Sequence, residues 1–72
     1  MTIELFRKIK ENLKAFIGSK VNYTHYIPSA NKYVTSQGVL HGIGRGVNSE
    51  CIIIGDKGKN KAIYFKYVNL TN

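Results

Sequence analysis

Leu5, Phe6, Ile9, Leu13, Phe16 and Ile17 recur at the helical period, with Glu4, Arg7, Lys8, Glu11 and Lys14 on the opposite side. The spacing predicts an amphipathic helix over residues 2–17. Thr2 suits its N-cap, Glu4 its first turn, and Gly18 the left-handed residue after its end.

After Gly18 the period changes to two. Val21, Tyr23, His25 and Ile27 alternate with Asn22, Thr24 and Tyr26, the pattern of a half-buried strand. Residues 28–32, Pro-Ser-Ala-Asn-Lys, break it and read as a loop. Residues 33–43 form a second extended region with a bend expected at Gly38. Gly42, Gly44 and Gly46 follow at alternate positions. A short apolar strand runs from Ser49 or Glu50 to Ile54, residues 55–60 read as a turn, and residues 61–70 form a last extended region that can break in two.

One helix followed by four or five strands with short connections implies antiparallel pairing. Short, strongly bent strands curl into small barrels. The expected fold is therefore α+β and mainly β. An N-terminal amphipathic helix packs on a small four- to five-stranded antiparallel barrel of residues 20–70, and residues 1–72 form a single domain.

Length limits what such a domain can hold. Seventy-two residues bury a small core, so outside support is expected. A lone cysteine, Cys51, excludes an internal disulfide and fits a reducing, cytoplasmic setting. Self-association into a homo-oligomer is the remaining support. The aliphatic run 51–54 is too short to cross a bilayer, and the helix stripe is expected to dock on the barrel, so no membrane partner is expected.

Charge narrows the partners. Eleven Lys and Arg face four Asp and Glu, a formal net charge of +7. The two halves of the chain carry six and five basic residues, so no basic arm exists and the charge acts from the folded surface. Nucleic acid or an acidic protein is the natural partner.

Catalytic and cofactor chemistry finds little footing. A phosphate-cradling glycine loop opens a helix, whereas strand-like residues follow Gly42-Ile43-Gly44-Arg45-Gly46, which reads as a bend or bulge. His25, His41 and Cys51 are far apart and lack the close-spaced pairs of a zinc site. The carboxylates do not converge as an acid–base pair. The expectation is a non-enzyme without metal or cofactor.

The informative set is cationic and aromatic. Lys57, Lys59 and Lys61 cluster about one turn, and Lys66 lies between Phe65 and Tyr67. Cations neutralise phosphates and exposed aromatic faces stack on unpaired bases. Lys57, Lys59, Lys61, Lys66 and Arg45 are the expected phosphate contacts. Tyr67 and Tyr64 are the expected stacking rings. At least two of the five tyrosines are expected to serve cross-strand packing instead.

The stretch 38–48, GVLHGIGRGVN, resembles the first motif of Sm-like proteins, G-x-L-x-G-hydrophobic-D-x-x-hydrophobic-N. Gly38, Leu40, Gly42, Ile43, Val47 and Asn48 match in spacing. Gly44 stands where the family carries an acid that helps shape its RNA-binding loop. Phe65-Lys66-Tyr67-Val68 is similar to the Y-K-H-A motif of the bacterial Hfq type, with Tyr67 in place of the histidine. The loop at 28–32 is longer than the family's, and similar glycine and aliphatic patterns occur in SH3-like barrels. The resemblance covers roughly residues 20–70. It implies a five-stranded bent sheet under an N-terminal helix, a ring of subunits joined by edge strands, and binding of single-stranded RNA.

Two functions follow as expectations. The first is a non-enzymatic nucleic-acid-binding barrel, with RNA favoured over DNA. The alternative is a protein-interaction module, a phage or mobile-element product that binds and inhibits a host protein through exposed tyrosines and a barrel edge.

Overall fold

The computed structural model describes residues 1–45 and 50–71, with the side chain of Arg45 outside that description. Two helices, α1 (Ile3–Glu11) and α2 (Leu13–Phe16), precede strands β1 (Lys20–Ile27), β2 (Lys32–Arg45), β3 (Glu50–Asp56), β4 (Lys59–Tyr64) and β5 (Val68–Leu70). A 3-10 turn, Phe65–Tyr67, joins the last two strands. The protein is mainly β, as its alternating pattern predicts.

Thr2 caps α1 as expected: its Oγ1 accepts a hydrogen bond from the Leu5 N–H at 3.2 Å. The expected single helix over 2–17 is broken at Asn12, whose backbone leaves the helical region at φ −135°, ψ 45°. Asparagine competes locally for backbone partners, and its N–H is shared between the Lys8 and Ile9 carbonyls at 3.0 and 3.3 Å. The break turns the helical stripe. Phe6 and Ile9 are fully buried, whereas Ile17, expected on the same face, is 51% exposed. Gly18 adopts φ 92°, the left-handed conformation expected after the helix.

All strand pairs are antiparallel, in one sheet of order β4-β3-β2-β1-β5. The sheet is open, which corrects the expected closed barrel. β4 and β5 end the sheet without pairing to each other. β5 has three residues, enough to pair only with residues 21–23 of β1. The chain that would lengthen it forms the 3-10 turn, which inserts Phe65 into the core. The Phe65 ring stacks on Phe6 at 4.7 Å, so helix and turn together cover the sheet's inner face.

Val21, Tyr23, Leu40, Ile52, Ile54 and Val68 complete the core. Each fully buried aliphatic side chain is worth about 1.5–3 kcal/mol relative to exposure. A bulge interrupts the β2–β3 register at His41, between Leu40 and Gly42. Gly38 lies at a close approach of the two strands. A Cβ there would lie 2.6 Å from Ile54 Cγ2 and 2.8 Å from the Gly55 carbonyl oxygen, so its hydrogen lets β2 approach β3. Gly42 and Gly44 lie within β2. Gly46, Val47, Asn48 and Ser49 lie outside the described residues.

Two connections shape the surface. The β1–β2 loop is residues 28–31, with Lys32 already in β2 and Asn31 left-handed at φ 51°. The β3–β4 connection is tighter than the expected six-residue turn. Lys57 (φ 52°) and Gly58 (φ 80°) are both left-handed, as a two-residue hairpin whose twist matches its strands requires.

Candidate functional site

The expected site residues do not converge on one patch. Lys57, Lys59 and Lys61 lie at one end of β4, and Tyr64, Lys66 and Tyr67 at the other. Lys59 and Tyr64 are five residues apart in one strand, roughly 17 Å. Because β4 is an edge strand, the whole set runs along one margin of the sheet. Arg45 ends β2 opposite Glu50, and its side chain lies outside the described residues.

At the far end, Tyr67 is 55% exposed beside exposed Lys66. Tyr64 is half-buried and makes T-shaped contacts with Phe65 and Tyr67 at centroid distances of 5.0 and 5.8 Å. It is therefore less open than Tyr67. Glu50 accepts a 2.8 Å ion pair from Lys10.

At the near end, Lys57 and Lys59 line an open hollow with Val39, His41, Asp56 and Asn60. No carboxylate lies within 4 Å of either ammonium among the described residues. The Asp56 carboxylate accepts the Tyr23 hydroxyl at 2.5 Å. Tyr23 is almost wholly buried, and burial, reinforced by Asp56, pushes its phenol up to about 12. Lys61 Nζ sits 5.6 Å from the Tyr23 ring centre. Lys61 thus faces the inner side of the sheet, and alternation along β4 puts Lys59 on that side too, opposite Asp56, while Lys57 stands in the turn.

Lys57 is the unusual residue. A lysine in the left-handed region costs about 1–2 kcal/mol, whereas Asn or Gly takes that place in two-residue hairpins at little cost. The turn accepts that strain and presents a cation at its tip.

The histidines and the cysteine stay apart. His41 packs its ring over Gly55. Cys51 is a buried thiol at the start of β3. His25 Nε2 is 2.9 Å from Ser36 Oγ, and its ring lies 5.0 Å from that of Tyr23. That contact ties β1 to β2, and an aromatic ring rather than a carboxylate flanks the imidazole. Among the described residues no cluster of three or more His, Cys, Asp or Glu forms a metal site. No helix among them is long and apolar enough to cross a membrane.

Sequence reasoning missed the exposed pair Tyr26 and Tyr33. The rings meet edge to face at 5.2 Å and are 44% and 69% exposed. The signal was present in the alternation, which assigns Tyr26 to the polar side of β1. Ile53 lies over Gly44, where an added Cβ would come within 2.7 Å of its Cδ1. Family models, curated proteins and solved structures all give no match to the chain.

Proposed function

We propose that the protein is a non-enzymatic binder of single-stranded nucleic acid, with RNA as its preferred ligand. The observation that carries this reading is the hollow beside the β3–β4 turn. Among the described residues Lys57 and Lys59 border it without a carboxylate partner, and Tyr23 engages Asp56. A turn that spends conformational stability to display a lysine is better explained by a ligand than by folding. Lys66 and Tyr67 extend the same margin with a cation and an open ring. The sequence resemblance to Sm-like proteins favours RNA over DNA. The two unpaired sheet edges, β4 and β5, favour self-association through strand addition.

Fluorescence anisotropy with a short single-stranded RNA over a salt series tests the reading. Affinity falls steeply with salt. Lys57→Ala and Lys59→Ala each reduce the salt slope by about 0.7, one released counterion per lost phosphate contact. Absence of affinity at low salt refutes it. Recovery of one acidic protein after nuclease treatment, with no oligonucleotide affinity, replaces it with the protein-interaction reading.

A further inference from the structure

The β1–β2 hairpin outreaches the rest of the sheet. β3 pairs with β2 only from Val39 onward, and β5 pairs with β1 only at residues 21–23. Thr24–Ile27 and Lys32–Thr35 therefore have only each other as strand neighbours among the described residues. An isolated two-stranded ribbon is marginal in water. This one is braced across its width by Thr24 to Thr35 at 3.3 Å, His25 to Ser36 at 2.9 Å, the Tyr26–Tyr33 ring contact, and a Tyr26–Asn31 hydrogen bond. The brace holds an aromatic pair near the ribbon's end.

Alternation places the pair on a definite face. Tyr23 and His25 belong to the inner face, so Tyr26 and its partner Tyr33 belong to the outer one. Thr24, Asn22 and Lys20 follow them on β1, and Thr35, Gln37 and Val39 on β2. Lys20, Gln37 and Val39 line a second shallow hollow, and Val39 also borders the Lys57–Lys59 hollow. The outer face is thus one strip from the basic turn to the tyrosine pair, roughly 20 Å along β2 from Val39 to Tyr33.

Its charge is one-signed. The four acidic residues are at positions 4, 11, 50 and 56, so none falls between 12 and 49. Glu50 meets Lys10, and Asp56 meets Tyr23 across the inner face. Lys20 and Lys32 flank the ribbon, and both are exposed. A strip with cations at intervals, amide side chains between them, and open rings at its end suits a chain of phosphates bearing unpaired bases.

We propose that this outer strip is the track of the nucleic acid, with bases stacking on Tyr33 and Tyr26 and phosphates meeting Lys57 and Lys20. It rests on the nucleic-acid reading and adds a surface to it. The ribbon supplies base contact and the turn supplies charge.

The test uses the full chain and a short single-stranded RNA, beside the same strand made abasic. Tyr33→Ser and Tyr26→Ser change exposed rings, and circular dichroism confirms that each variant folds. Both weaken binding of the base-bearing strand about tenfold, with the salt slope unchanged. Neither alters binding of the abasic strand. The chain has no tryptophan, so the part of the tyrosine quenching on binding that Tyr33→Ser and Tyr26→Ser abolish reports the stacked rings. Wild-type-like affinity in both variants, with Lys57→Ala still weakened, overturns the ribbon track and leaves the nucleic-acid reading standing. No binding by the unmodified chain removes both. Loss of a captured protein partner, with RNA affinity intact, assigns the ribbon to protein contact and overturns the track.

Discussion

Lys57 and Tyr23 show how single residues trade stability against function. Lys57 is strained at φ 52°, in a turn position that asparagine occupies with less strain. Lys57→Asn is expected to stabilise the fold by about 0.5–1 kcal/mol, a rise of a few degrees in thermal midpoint. It should also weaken RNA binding by removing a phosphate contact. A variant that is less stable, or that binds as tightly as the original, refutes the trade. Tyr23 gives a pH dependence with a definite sign. Burial, then Asp56, raises its phenol from 10.0 to about 12, so the folded state favours the neutral form. That contribution is complete below pH 10 and is lost as pH rises through 12. Urea unfolding across this window should show stability falling. Tyr23→Phe should flatten that part of the fall while lowering stability at neutral pH, because Asp56 loses its hydroxyl donor. A variant with the same alkaline loss excludes Tyr23 as its source.

At the level of elements, what could be read in advance depended on whether local pattern or tertiary contact decides. The α1 cap, the alternation of β1, and the break between β4 and β5 are local and were legible. Asn12 was not, because its neighbours continue the helical period and only the dihedral angles reveal the break. The barrel was not, because closure depends on whether two distant edges meet. β5 stops after three residues, and nothing in its composition sets that length. The lysine cluster was visible as spacing, yet Lys57 stands in the turn while Lys59 and Lys61 share one side of β4. Tyr26 and Tyr33 are seven residues apart in the chain and became a pair only through the β1–β2 register. Register also sets the outer strip, since slipping the ribbon by one residue would send one of the two rings to the inner face.

For the whole molecule, two associations compete under the same charge. Among the described residues a core of nine leaves a narrow margin, and two sheet edges lack partners. Ile3, Ile17 and Val39 are also exposed. Strand addition between copies would relieve both conditions, but each copy carries a formal +7. Like charges repel, and salt screens that repulsion over a Debye length of about 10 Å at 0.1 M. Self-association should therefore strengthen with salt, while RNA binding weakens through counterion uptake. Sedimentation of the nucleic-acid-free protein should show mass rising above 8.1 kDa as salt is added. Its thermal midpoint should rise with protein concentration, as it does when folding and assembly are linked. RNA should reverse the first trend by neutralising the lysines, so bound protein assembles at low salt where free protein does not. A monomer at every salt concentration, with a midpoint independent of concentration, would mean that the open edges do not recruit copies and that the single sheet sustains itself.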